Sequence, residues 1–405
     1  MTVLSGDHGT DRYTLISADC HAGATPEVYR EYLDTSWREE FDNWRARYSN
    51  PFKDLRGDGR TRNWDTVRRN ADQEGDGVVA EVLFPNTVPP FFPTGQLIAP
   101  PPNPSNYARR LAGVRAHNRW MADFCAEQSD RRAGIGQIFL NDVDEAIRDV
   151  EWVRANGLRG GVLLPGVPDD AKHIEPLYSP VYDRLWAACQ DLDVVVNHHS
   201  GGGAPDYGQH DISWILFAME TQFYSRRAFT HMIMGGVFER FPRLKLVLTE
   251  TSAAWSVPTL TTMDDFHRQM RTGRIGEIAV PGTVVLKDEP SSYARRNVWF
   301  GASFPSRSEV EARHEIGVDR ILWGSDYPHN ESTFPHTTEG LQLAFHGVDR
   351  AEVAAMLGGN AAELYGFDMA LLAPLAARCG PAVDVVAQPL SSIPEGVTSP
   401  AFFRK

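Results

Sequence analysis

The chain has 405 residues, with 40 Lys+Arg against 53 Asp+Glu, so the net charge is 40 − 53 = −13. Hydrophobic content of 42% with 23% charged residues is the balance of a globular protein, and the acidic excess excludes broad nucleic-acid binding, which needs a basic face. Four cysteines (Cys20, Cys125, Cys189, Cys379) lie far apart, which excludes a disulfide framework or a structural zinc site; with no charged-then-apolar leader and no 18-residue apolar run, a cytoplasmic protein without a membrane partner is expected.

Strand-like runs occur at 13–18, 78–84, 135–139, 160–164, 193–198, 244–249, 297–301 and 320–325. Helix-like stretches lie between them, at 106–129, 142–156, 178–190, 211–239 and 350–357. The stretch after Asn141-Asp142 ends at Gly157, as a helix with an acidic N-cap and a C-terminal glycine would. Such alternation predicts parallel strands joined by helical crossovers, and eight units would close a (β/α)8 TIM barrel. A doubly wound sheet fits the alternation too, but no G-x-G-x-x-G turn follows the first strand.

Residues 1–368 are read as the barrel and 369–405 as a C-terminal extension. An Arg-rich insertion at 40–65 follows strand 1. A second insertion, at 85–104, follows strand 2 and carries eight of the 27 prolines; Phe91 and Phe92 in it are candidates to wall the pocket.

Barrel active sites gather at strand C-termini, and four strands here end in ionisable residues. Strand 1 ends Asp19-Cys20-His21; alternation puts Asp19 and His21 on one face and Cys20 on the other. Strand 5 ends Asn197-His198-His199 before three glycines, and only one histidine can reach the lumen; His199 is favoured, leaving His198 to the helix layer or a supporting role. Strand 6 ends at Glu250, where an unpaired buried carboxylate would be costly and a metal or a lumenal cation would satisfy it. Strand 8 gives Asp326, suited to metal ligation or to proton transfer, with His329 and Glu331 in the following loop.

The ordered set D-x-H, H-S-G-G-G, FPRLKLVLTE and ILWGSDYPH resembles the amidohydrolase-2 group, metal-dependent barrels related to aminocarboxymuconate semialdehyde decarboxylase. The resemblance runs over about residues 12–368. It implies Asp19, His21, His199 and Asp326 as metal ligands, with Asp326 also moving protons. Two positions depart from many members: Asp19 stands where H-x-H begins with histidine, and Glu250 stands where strand 6 often ends in histidine. Both changes add oxygen donors and favour Mn or Fe over tetrahedral Zn, in a site for one or two divalent ions. Glu250 would then bridge, with His198 and His329 as candidates for a second metal or for the surrounding shell.

The leading expectation is a metal-activated hydrolase in which Asp326 and Glu250 are catalytic. A di-iron monooxygenase and a non-oxidative decarboxylase are the alternatives. A small-molecule substrate and a homo-oligomer are expected. The Pro/Phe-rich wall, Trp255 and Trp323 suggest a bulky apolar or aromatic acid. The arginine pairs at 68–69, 109–110, 131–132, 226–227 and 295–296 read mostly as solvated helix faces, and 212–229 as core or subunit interface.

Overall fold

A computed structural model describes residues 11–49, 57–94, 96, 98–208 and 210–404. Eight strands form one parallel sheet in sequential order: β1 (Leu15–Ala22), β2 (Val78–Pro85), β3 (Arg132–Gln137), β4 (Gly161–Leu163), β5 (Val196–His199), β6 (Leu246–Thr249), β7 (Val298–Ser303) and β8 (Ile321–Gly324). All eight match expected runs to within a few residues, because strands covered on both sides read as continuous apolar segments. The sheet closes where β8 returns to β1. There Asp326 N–H donates to Asp19 O at 2.8 Å and His21 N–H to Tyr327 O at 2.7 Å.

Two cores result. Ile16, Ala18, Val82, Ile135 and Leu322 belong to a cluster shared with Leu372 and Ala376 of the C-terminal extension. The larger cluster includes Leu15, Cys20 and Leu83 together with helix residues such as Met121, Val150 and Trp186, and lies between strands and helices. Inward Ile16 and Ala18 are even-numbered, whereas Asp19 and His21 are odd. A register irregularity between Ser17 and Cys20 accounts for the change of phase and aims both site residues inward.

The helices used below are α1 (Pro26–Tyr32), α2 (Arg38–Arg45), α3 (Thr66–Gly75), α4 (Tyr107–Ala126), α5 (Val143–Ala155), α6 (Asp183–Asp191) and α7 (Ser213–Met234). Asp142 caps α5 as expected, accepting from the Asp144 and Glu145 amides. The insertion at 40–65 is helical rather than merely polar: the C-terminal part of α2 and a 3-10 turn at Asp58–Asn63 lie in it, α1 precedes it, and residues 50–56 lie outside those described. A two-stranded antiparallel pair, Arg274–Ile275 with Ile278–Ala279, was not expected. The extension forms a helix, Met369–Cys379, and its end returns so that Ser399 Oγ donates to Glu331 O at 2.7 Å, beside the loop after β8.

Candidate metal centre

The ends of β1, β5 and β8 bring Asp19, His21, His199 and Asp326 together. His21 Nε2 stands 3.3 Å from Asp19 Oδ1 and 3.2 Å from Asp326 Oδ1, and His199 Nε2 is 3.4 Å from Asp19 Oδ1. Asp19 and Asp326 are fully buried. The other ring nitrogens are tied to carbonyls: His21 Nδ1–H donates to Pro85 O at 3.2 Å and His199 Nδ1–H to Ser200 O at 3.1 Å. That fixes the tautomers so that both Nε2 lone pairs face carboxylate oxygens.

Asp19 Oδ1, His21 Nε2, His199 Nε2 and Asp326 Oδ2 are all buried without an aligned hydrogen-bond partner. Buried polar atoms are rarely left so. A cation among them satisfies every one, and imidazole with carboxylate oxygen is a donor set for a divalent metal. The residues present therefore fit the expected ion. Burial would raise the Asp19 carboxyl, but positive charge beside it, a protonated His199 or His21 ring as much as a bound cation, holds it well below the usual carboxylate range.

His329 adjoins this group. Its Nδ1–H donates to Asp326 Oδ1 at 2.8 Å and its Nε2–H to Asn86 Oδ1 at 3.0 Å. Asn86 in turn donates through Nδ2 to Asn63 Oδ1 at 2.5 Å, which orients its amide and leaves His329 a donor at both nitrogens. Burial disfavours that charge, yet the Asp326 carboxylate lifts His329 to about 10. Ser303, at the end of β7, donates to Asp19 Oδ2.

Glu250 lies at the edge. Its Oε2 accepts from Ser200 Oγ at 2.5 Å and stands 3.6 Å from His199 Nδ1, the nitrogen turned away from Asp19. Its carboxylate groups with Asp326 and the exposed Glu331, separately from the Asp19–His21–His199 set. Burial and Asp326 push its carboxyl upward, moderated by the 26% of its side chain that stays exposed. Glu250 (φ 57°) and Asp326 (φ 64°) both hold left-handed backbone without being glycine, a strained conformation that accumulates at functional sites.

His198 points outward, its Nδ1 bonded to Leu164 O at 3.0 Å, and burial lowers it to about 4; it stands outside all three donor groups among the described residues. Cys20 is core, as its parity requires, with its thiol pushed up to about 12 by burial.

A cavity of about 560 Å3 opens above the donors, lined by His21, His199 and His329 and by an apolar wall that includes Phe84, Phe92 and Phe139. The proline-rich segment does wall it, but Phe91 does not: that ring is buried with Phe41 and Trp44 from α2. Trp323 and Trp255 are not pocket residues either. Trp323 faces the helix layer, in the outward phase of β8, and Trp255, at the N-cap of the helix Ser256–Met270, packs on Phe229 and Phe300. Gly201–Gly203 border the cavity where Gly166 approaches so closely that a Cβ on it would lie 2.0 Å from Gly203 N.

The arginine pairs are mostly tethered rather than solvated. Arg69 is fully buried against Glu81, Arg132 lies over the Phe124 ring at 3.8 Å, and Arg226 donates to Thr251 O. In α7, Phe229, Met232 and Ile233 are core, whereas Trp214, Ile215, Met219 and Phe223 are exposed. Sequence reasoning missed Asn86 and Ser303, although both are polar residues at strand ends and the rule that found Asp326 applies to them equally.

A family model described as amidohydrolase matches residues 18–367. The chain belongs to the amidohydrolase-2 family. Its curated relatives include gamma-resorcylate decarboxylases from Polaromonas sp. (strain JS666 / ATCC BAA-500), 28% identical over 67% of this chain and 80% of that one, and from Rhizobium sp. (strain MTP-10005), 26% identical over 53% of this chain. The Rhizobium match spans 65% of that relative's length, just under two thirds. Solved structures sharing the fold include 5-carboxyvanillate decarboxylase from Sphingomonas paucimobilis (TM-score 0.65, 22% identity, 88% of this chain and 100% of that one). Another is dihydroxybenzoic acid decarboxylase from Polaromonas sp. JS666 with bound manganese and 2-nitroresorcinol (TM-score 0.60, 20% identity, 89% and 99%). These relatives are decarboxylases, which overturns the expectation of hydrolysis and gives the monooxygenase alternative no support. The physical reason is that strand-end donors specify a cation, and the same cation site serves several reactions.

Proposed function

We propose that this amidohydrolase-family enzyme removes carbon dioxide from a hydroxylated aromatic acid without oxidation. The observation that carries the reading is the Asp326–His329 pair, in which the His329 ring borders an aromatic-lined cavity and donates from Nδ1 to the buried Asp326 carboxylate behind it at 2.8 Å, beside the donor group. Decarboxylase relatives on the same barrel support it.

Asp19, His21, His199 and Asp326 would hold the divalent metal, which when bound supplies positive charge against the substrate's oxygens. The protein's own work is to protonate carbon. Asp326, charged with a proton from His329, gives it to the ring carbon bearing the carboxylate, the ring–carboxyl bond then breaks, its electrons restore the aromatic ring, and carbon dioxide leaves. His329 recovers a proton through the cavity mouth. Phe84, 4.7 Å from the His199 ring between centroids, and the proline-rich wall keep water from the reacting carbon. The unpaired cysteines fit a reducing, cytoplasmic setting.

The test is manganese-loaded enzyme with 2,6-dihydroxybenzoate and 5-carboxyvanillate in D2O. Expected are carbon dioxide and one ring deuterium per turnover. An oxygen-18 label from water in an organic product, with no carbon dioxide, would overturn the reading.

A further inference from the structure

Arg110 stands apart from the chain's other buried arginines. It is 7% exposed, lies in the first turns of α4 and borders the cavity. Arg69 and Arg132 each have Glu81 within 4 Å; Arg110 has no carboxylate partner among the described residues. Among the described residues its side chain makes one hydrogen bond, from Nη1 to Pro100 O at 2.7 Å, and its guanidinium lies 5.3 Å from the Phe139 ring centroid. A guanidinium has five N–H donors, and a buried charge without a counter-ion is costly. Burial lowers it to about 10, so it remains charged at neutral pH.

A second group on the same wall is also short of a partner. Gln137, at the end of β3, lines the cavity, and its Nε2 is buried without a hydrogen bond among the described residues. These donors sit on the α4–β3 side, whereas the metal donors come from β1, β5 and β8. A cavity of about 560 Å3 also exceeds what a single-ring acid fills.

Resting on the decarboxylase reading, we infer that Arg110 recognises a second anionic group on the substrate, with Gln137 as an auxiliary donor. The substrate is then an extended aromatic diacid: one carboxylate reacts at the metal end, and the other is held by the guanidinium and retained in the product. Arg110 is a specificity residue and takes no part in bond breaking.

Binding is measured by calorimetry on the manganese-loaded enzyme with three pairs of probes: isophthalate against benzoate, naphthalene-2,6-dicarboxylate against 2-naphthoate, and biphenyl-4,4′-dicarboxylate against biphenyl-4-carboxylate. In at least one pair the diacid is expected to bind ten-fold or more tighter than the monoacid. R110Q should erase that preference while leaving monoacid affinity within about two-fold, and R110K should restore part of it. Lack of preference in every pair, or a preference that survives R110Q, overturns the inference. Arg110 also fastens the proline-rich segment through Pro100, but a purely structural role would weaken both members of a pair alike. If R110Q fails to fold, a diacid preference reduced below the wild type in R110K and in Q137L carries the test, and an unchanged preference in both rejects it. These outcomes are independent of turnover: carbon dioxide release judges the decarboxylase reading, and the binding difference judges Arg110.

Discussion

Beneath the candidate metal donors lies a buried ion pair whose removal should be felt in both stability and metal binding. Glu81, on the outward face of β2, accepts from Arg69 at 2.7, 2.8 and 3.0 Å and from Gln73 Nε2 at 2.9 Å. Arg69 spends its remaining Nη1 donors on His21 O at 2.8 Å and Arg62 O at 2.9 Å, and covers the Tyr327 ring at 4.9 Å. It therefore pins the backbone of a candidate metal ligand and the residue after Asp326. Glu81→Gln removes the carboxylate from a fully buried guanidinium, and from Arg132 at 3.7 Å as well. Breaking one buried pair costs about 3–5 kcal/mol, a large part of the ~5–15 kcal/mol that holds a typical domain. Urea unfolding of chelator-treated protein should show the midpoint falling by on the order of 1 M. The double variant Arg69→Met/Glu81→Met removes both charges and should recover at least ~1 kcal/mol over E81Q. It should still bind manganese more weakly than the wild type, because the His21 carbonyl has lost its anchor. A loss under ~1 kcal/mol in E81Q, or unaltered manganese affinity in the double variant, would refute the reasoning.

Asp76, at the C-terminal end of α3, is buried and accepts from Thr337 N–H at 3.1 Å and Thr337 Oγ1 at 2.5 Å. Burial raises its carboxyl to about 7, so its contribution to stability is complete below pH 4 and fades as pH rises through 7, by up to ~4 kcal/mol; D76N should flatten the melting-temperature profile across that window, and parallel wild-type and variant profiles would count against it. At Gly324 a Cβ would lie 2.6 Å from Asp19 Cβ and 3.0 Å from Asp19 N, so G324A must part β1 from β8 at the donors. That should cost ~1–3 kcal/mol and weaken manganese binding in a titration; wild-type affinity would contradict the tight seam. H329Q should lower kcat by about 10²–10⁴-fold while manganese per chain stays unchanged. Loss of metal instead would make His329 a ligand rather than a proton store.

The strands were legible because barrel strands are buried on both faces, and the donors because alternation and strand ends together restrict where a side chain points. Parity admitted only one of His198 and His199 to the lumen, and the place of His199 at the strand end beside the glycines chose between them; Asp19 with His21 followed from alternation, even though a bulge shifts the phase of β1 just before them. What parity cannot supply is a partner far along the chain. Asn86 reaching His329, Ser303 reaching Asp19 and Arg69 reaching the His21 carbonyl join residues between 48 and 284 positions apart. Nothing local marks those pairs. The arginine pairs misled for a similar reason: neighbours in sequence sit on different faces of a helix, so Arg110 borders the cavity while Arg109 is exposed and pairs with Glu40.

The reaction was the least legible feature, and the geometry explains why. Asp19, His21, His199 and Asp326 answer only the question of which cation can sit among them. Whether water or a ring carbon receives chemistry depends on what stands at the cavity floor and what the walls exclude. Here one of the four donors, Asp326, accepts from His329 at 2.8 Å, and on the decarboxylase reading that pair gives a proton rather than taking one from water. A hydrolase would need that carboxylate free to act as a base, whereas His329 donates to Asp326 from one side and to Asn86 from the other. On the proposed reading, the direction of the proton, set by an asparagine whose amide is oriented by a second asparagine, is what separates the two reactions on one donor set.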